Sequence, residues 1–410
     1  MPSASERVVA ARFRAALIGA AALVLALTSH RAGSQAPAAE PGSDLQIYVM
    51  TMGPGDAIWE RFGHNALGIR DATAGTDVVY NWGVFRFTEA EFLPRFLRGE
   101  MRYSVEAYDA RATVAGYQSI NRSVELQELS LTPAQRLAIK RYVEWNALEE
   151  NKYYHYDYFG DNCSTRVRDV LDRALGGALR QQFAATPSGM TFRDEARRLT
   201  DRDVLYTGID IGLGSPSDRE MSSFESMFIP MRLRDALRAV QVTGQDGRTT
   251  ALVSAEHTEF TASRIAERSA PANYQLRYLL IGLAIAGGLV ALVRVAPAWG
   301  GGAAAIWCAV SGVLGLLLAG LWMLTSHVWA YQNVNLLFFN PLWFGVAVVA
   351  GRRRTLGITG RRLLAGVAGL AAIGVALGLA QRPQASEQVA LLVVAPHALI
   401  FWLLLRQRSG

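Results

Sequence analysis

A chain of 410 residues, 51% of them hydrophobic, is too long and too apolar for one small soluble domain, and its apolar residues crowd into one block near the N-terminus and several after Tyr278. The net charge of +6 would suit nucleic acid, but lysine occurs only at Lys140 and Lys152, and many arginines stand at the ends of apolar segments. That is the pattern of membrane topology, and without a basic stripe interleaved with aromatics nucleic-acid binding is not expected.

In chain order, Arg7, Arg12 and Arg14 followed by the apolar run Ala15 to Leu27 read as an export signal or anchor, with Ala36-Pro37-Ala38 as a small-residue cleavage site and a linker from Gln35 to Ser43. Leu45 to Met52 reads as a strand, Gly53-Pro54-Gly55-Asp56 as a turn, and His64 to Ile69 and Val78 to Gly83 as two further strands. Thr88 to Leu97 has helical spacing and stops at Gly99. Met101 to Ala107 and Ser123 to Leu129 alternate as strands do. Thr132-Pro133-Ala134-Gln135 combines an N-cap, a proline at the first helical position and a capping-box glutamine, and opens a helix to about Leu148. The aromatic run Tyr153, Tyr154, Tyr156, Tyr158 and Phe159 reads as packing on a sheet or as the wall of a groove for an acyl chain. Short amphipathic helices are expected over 191–240, and a strand over 249–258.

Five membrane segments follow, at about 278–293, 303–324, 336–350, 363–380 and 389–405, some short against the roughly 20 residues a span needs. Arg294, the Arg352 to Arg362 cluster and Arg406 to Arg408 follow alternate segments, so they and Arg7 to Arg14 share the cytoplasmic side. Single arginines at Arg31, Arg277 and Arg382 run against this rule. The chain then divides into a signal or anchor segment with linker (1–43), an exported domain (44–275) and a membrane domain of about five helices (276–410). The loop from Thr325 to Asn335, with His327, Asn333 and Asn335, faces the same side as the exported domain.

Of the two cysteines, Cys308 lies in an apolar run and Cys163 in the exported domain, so Cys163 is expected to be unpaired. Cys163 stands where the loop Tyr158-Phe159-Gly160-Asp161-Asn162 becomes a helix, recognised by Val167, Val170, Leu171 and Leu175 and ended by Gly176-Gly177. Asp161, Asn162 or Ser164 can cap it, and a first-turn thiol is expected to have a lowered pKa. A buried packing cysteine is the plainer alternative. A thiol nucleophile needs a base and an orienter: His64, after Phe62-Gly63 at a strand start, is preferred over His155 and His257, and Asn81 on the neighbouring strand is the most economical orienter. The Cys163 amide, with Asn162 nearby and Asp161 and Ser164 flanking, is the expected oxyanion region. No metal framework or cofactor motif is expected.

Histidine-before-cysteine order resembles the circularly permuted branch of the papain-like NlpC/P60 superfamily, alongside lecithin:retinol acyltransferase relatives. More closely, Trp59-Glu60-Arg61-Phe62-Gly63-His64-Asn65, Tyr80-Asn81-Trp82-Gly83 and Asp157 to Arg166 resemble the Lnb-type periplasmic domain family, over roughly Leu45 to Arg238. The resemblance implies an α+β, permuted papain-like (NlpC/P60-like) periplasmic domain followed by an all-α transmembrane domain in the bacterial inner membrane. It implies a lipoprotein N-acyltransferase: Cys163 takes an acyl chain from a membrane phospholipid as a thioester and passes it to a diacylated lipoprotein's N-terminal amine. Trp59, Glu60, Arg61, Tyr158, His327, Asn333 and Asn335 are its expected substrate contacts. A membrane-anchored cysteine amidase or peptidase acting on cell-wall peptide, and a non-catalytic binding module, are the rivals. Five further spans and a polar outer loop suit a lipid substrate better than a cell-wall hydrolase, and a binding module needs no free thiol beside a histidine.

Overall fold

Leu45–Met52 (β1) is apolar at almost every position because it is covered on both faces, and the sheet is built outward from it. The computed structural model of the chain describes residues 3–29, 40–201, 205–243, 247–264, 266–352, 357–380 and 383–406. The expected cleavage site, most of the linker, Arg31, Arg353, Arg354, Arg382 and Arg408 lie outside the described residues. Around β1 stand His64–Asp71 (β2), Thr76–Val84 (β3), Arg102–Asp109 (β4), Val124–Leu129 (β5), Tyr153–His155 (β6) and Val253–Phe260 (β7). Their order is β7-β5-β1-β2-β3-β4-β6, with every neighbouring pair antiparallel.

Helices cover both faces. Leu45, Ile47, Val49, Leu67 and Trp82 face Pro133–Asn146 (α4), Cys163–Ala174 (α5) and Pro230–Arg238 (α8), and form the larger core. The Thr132 hydroxyl and the Gln135 side chain make the expected capping box at the start of α4. On the opposite face Tyr48, Met50, Met52 and Val79 pack against Ala110, Val114 and Tyr117 of Ala110–Ser119 (α3), a helix not foreseen from sequence. The helix expected at Thr88 to Leu97 is shorter and later, Phe92–Arg98 (α2), ending on Gly99 in the left-handed conformation.

Ala4–Ser29 (α1) covers the N-terminal apolar block. After the sheet come Gln275–Val295 (α9), Pro297–Leu324 (α10), Trp343–Arg352 (α11), Ile358–Leu379 (α12) and Glu387–Arg406 (α13). Among the described residues four of these are long and apolar enough to cross a membrane: α9, α10 from Trp299, α12 and α13. The expected segment at 336–350 is broken, a 3-10 turn at Val334–Leu337 and then the ten-residue α11. Val334 and Asn335 of that turn are buried in protein. A mixed α/β domain is thus followed by an all-α membrane region.

The 191–240 region, unassigned in function from its sequence, joins the two parts. Arg193, on Phe192–Leu199 (α6), is fully buried and donates to both Asp218 oxygens, to Asp210 and to the Leu213 carbonyl. Arg197 on the same helix bonds Asp210, Glu387 at 3.2 Å and the Ala385 carbonyl at 2.8 Å, both at the start of α13. Buried charges survive only when paired and hydrogen-bonded, and here the Arg197–Glu387 pair spans the two parts. Asn333 donates to the carbonyls of Ile211 and Gly212, and Asn335 to Ile211, at the end of Leu205–Gly212 (α7). The loop from Thr325 and the turn before α13 therefore lie on the same side as the sheet domain, as the arginine pattern requires. Arg193→Ala should leave Asp218 short of its partner and cost about 3–5 kcal/mol, read as a lowered thermal midpoint and faster proteolysis of the full chain in detergent.

Candidate active site

Cys163 is placed by a cap. The Asn162 side-chain oxygen accepts from Ser164 N–H at 2.9 Å and Thr165 N–H at 3.0 Å, and the Thr165 hydroxyl accepts from Asn162 N–H at 2.7 Å. The Asn162 amide donates to the carbonyls of Tyr158 and Phe228, both at 3.0 Å. The side-chain groups of Asn162 are thereby committed to starting the helix and tying it to Tyr158 and Phe228. Asp161 is held in a bidentate pair by Arg166, and the Ser164 hydroxyl donates to the Met227 carbonyl at 2.6 Å. Both side chains thus brace the start of the helix.

The loop before the cap is braced from the membrane side. Asp157 and Asp161 exchange backbone hydrogen bonds, and the Asp157 carboxylate accepts from the N–H groups of Phe159 and Gly160. The Trp329 indole, from the outer loop, donates to both Asp157 oxygens at 2.9 and 3.0 Å and packs against Phe159 and Phe192.

His64 is placed by a break in the sheet. The β1–β2 ladder runs to Met52↔His64, but the β2–β3 ladder stops at Leu67↔Tyr80. Gly63, at φ +79°, brings the chain against the Met52 carbonyl, where a Cβ would sit 2.9 Å from the oxygen. On β3, Gly83 at φ +90° makes a bulge and lays its backbone against Cys163; a Cβ there would be 3.7 Å from the cysteine Cβ. In the gap the ring of His64 meets Asn81 Oδ1 at 3.2 Å through Nε2. The Asn81 amide donates to the Val79 carbonyl at 3.3 Å, which leaves its oxygen for the ring. Nε2 is therefore the protonated nitrogen, and Nδ1 keeps its lone pair.

Thiol and imidazole share one environment. The N–H groups of Asn65, Ser164 and Cys163 act on the sulfur, and Asn65 is free to do so because it lies beyond the end of the β2–β3 ladder. Tyr117 stacks near His64 at 6.3 Å between ring centroids and feels the charge state of Cys163. The Arg122 guanidinium lies 4.8 Å over the Tyr117 ring and acts on both His64 and Cys163. Arg122 is buried, anchored on the Gly53 carbonyl at 2.8 Å and near Glu60 at 3.5 Å, and its Nη2 has no hydrogen-bond partner among the described residues. Sequence reasoning missed Arg122, Tyr117 and the Asn65 N–H. A buried arginine in an Asn-Arg-Ser turn carries no local signature, and a backbone donor carries none at all.

Burial decides the resting charge. It raises the Cys163 thiol above its usual value, and the surrounding N–H groups and Arg122 oppose this without prevailing. The lowered thiol pKa expected from the helix start is thus corrected. Burial first, then Arg122, lowers His64 to about 4. Thiol and imidazole are thus both neutral at rest, a state suited to proton transfer during attack rather than to a standing ion pair.

The remaining expected contacts are divided. Trp59 is exposed on Phe85 and Phe87, Glu60 positions Arg122 and accepts from Ala57 N–H, and Arg61 ends the same turn. Tyr158 packs edge-on to Phe159. His327 is drawn to α2, its Nε2 on the Phe96 carbonyl at 2.9 Å, while His155 bonds the Gly99 carbonyl. Asn333 and Asn335 are buried in the α7 contact described above. Cys163 and Cys308 are both free thiols.

Residues 38–198 match the family model described as the Lnb N-terminal periplasmic domain. No curated protein and no solved structure gives a significant match to the chain.

Two measurements check the resting state. Between about pH 5 and 8 the thiolate ultraviolet absorbance assigned by comparison with Cys163→Ser should be absent; a thiolate band there would contradict the neutral pair. His64 binds protons less readily folded, at about 4, than at its ordinary 6.5, so the stability from keeping it neutral is complete above that range and falls as pH drops toward 4. Unfolding midpoints against pH should lose this part of their acid slope in His64→Gln.

Proposed function

We propose that the chain, whose residues 38–198 match the Lnb N-terminal periplasmic domain, is a membrane-anchored lipoprotein N-acyltransferase of the Lnb type and carries the acyl group on Cys163. The donor is a membrane phospholipid and the acceptor the α-amino group of a diacylglyceryl-cysteine lipoprotein. The observation that supports this most is the shared environment of Cys163 and the His64–Asn81 pair at the break in the sheet. His64 and Asn81 precede the cysteine helix in the chain, which favours a permuted papain-like arrangement.

In the first half-reaction the Cys163 sulfur attacks the donor's ester carbonyl as His64 Nδ1 takes the thiol proton. The S–C bond forms, the ester C–O bond breaks, and His64 returns the proton to the departing lysophospholipid oxygen. In the second half-reaction the lipoprotein amine attacks the thioester carbonyl. The N–C bond forms, the C–S bond breaks, and His64 moves the amine's proton back to sulfur. Asn81 holds the ring in its Nε2–H tautomer and accepts from the imidazolium. The N–H groups of Cys163 and Asn65 are the donors best suited to the carbonyl oxygen as it becomes negative, and Arg122 adds positive field to the thiolate and oxyanion.

Mass spectrometry of the chain from membranes should find a hydroxylamine-labile acyl group on Cys163 that is absent in Cys163→Ser. His64→Ala should slow acylation of a diacylated lipopeptide by about 10²–10⁴-fold. A wild-type protein that releases cell-wall fragments and acylates no lipopeptide would overturn the reading in favour of an amidase.

A further inference from the structure

An apolar shelf remains unpartnered beside the site. Phe87, Leu93 and Leu97 are 61%, 61% and 59% exposed, and Trp59 and Phe96 are exposed at 55% and 44%. These belong to one surface: Trp59 packs on Phe85 and Phe87, Phe87 on Phe92, and Phe92 on Phe96 one turn later along α2. A soluble protein seldom leaves so many large apolar side chains together without an occupant.

What covers the shelf follows from its attachment. Ser326 N–H donates to the Arg98 carbonyl at 2.7 Å, and His327 bonds the Phe96 carbonyl and rests against its ring. Those residues come directly after Met323 and Leu324, the exposed end of the membrane-spanning α10. The shelf thus continues sideways from the point where α10 leaves the bilayer. An exposed tryptophan and two exposed phenylalanines, with Arg86 exposed between Phe85 and Phe87, are the composition of an interfacial element.

Behind the shelf an aromatic row leads inward. Phe92 stacks on Phe85 at 5.6 Å, Phe85 on Tyr103 at 4.9 Å, and Tyr103 on Tyr156 at 4.3 Å. Tyr156 feels the charge state of Cys163, and its ring lies with Cys163 around Gly83.

We propose that the shelf of Trp59, Phe87, Leu93, Phe96 and Leu97 lies in the outer lipid leaflet of the membrane that α10 crosses, and that the row Phe92–Phe85–Tyr103–Tyr156 guides an acyl chain from that leaflet to Cys163. The first statement rests on the shelf and α10 alone; the second rests on the acyl-transfer reading. α2 is then a short interfacial helix, and the thiol is supplied from the side of the protein rather than through the bundle.

The test uses the full chain in vesicles of phosphatidylethanolamine and phosphatidylglycerol. Spin labels at Leu93→Cys and Leu97→Cys, in a Cys163→Ser, Cys308→Ala background, should collide more with oxygen than with a water-soluble nickel chelate. In label-free protein, the emission that distinguishes wild type from Trp59→Phe should lose about half or more of its intensity in vesicles whose acyl chains are brominated near the headgroup. Nickel-dominated collisions at both labels, or Trp59 emission indifferent to bromine, would overturn the proposal. Neither readout requires acyl transfer. An immersed shelf on a protein that acylates no lipopeptide would count against the proposed function alone, and a shelf in water on an active enzyme against this inference alone.

Discussion

The geometry around Cys163 depends on one carboxylate, Asp157. It closes the turn that precedes the helix by accepting from Phe159 and Gly160, and it receives the Trp329 indole from the membrane side. The turn presents Asn162 to cap the helix, and the cap sets the thiol in the first turn. Because the same carboxylate serves both tasks, the position of the thiol relative to the bilayer is defined by hydrogen bonds rather than by a flexible tether. Buried Arg197 of α6 supports that junction from the other side, bonding Glu387 of α13 and the Ala385 carbonyl just before it.

Much of this was legible because it follows from short-range rules. The strands around β1, the capping box of α4 and the helix beginning at Cys163 come from alternation, cap chemistry and helical spacing, which act within a few residues. Asn81 was reachable as the polar residue on the next strand. What was not legible depends on what lies opposite. α3 offers only Ala110, Val114 and Tyr117 as a stripe, too thin to read until the sheet face they cover is known. Asn333 and Asn335 read as substrate contacts because polar residues beside spans attract that interpretation, whereas the freed carbonyls at the end of α7 claim them. The broken third span was hidden by hydropathy, which counts apolar residues and is blind to hydrogen bonding.

The thiol is the instructive case. A helix start, three N–H groups and a nearby guanidinium all favour the thiolate, and position alone argues for a reactive anion. Desolvation outweighs them in the resting protein. Under the proposed acyl transfer this is an advantage: a neutral sulfur makes a poor target for stray oxidants and electrophiles, and charge develops only as the donor's carbonyl arrives to receive it.

The bracing of Asp157 by Trp329 also bears on how the protein is made. The indole lies 172 residues downstream of the carboxylate it holds, beyond α9 and α10. A nascent chain can therefore complete the sheet, with β7 paired to β5, while the turn before Cys163 still lacks its final partner. That partner arrives only once the first membrane hairpin has been inserted and its outer loop has folded back. Assembly of the thiol's surroundings thus waits on that hairpin, and a polypeptide stalled before insertion holds its cysteine in an unfinished setting.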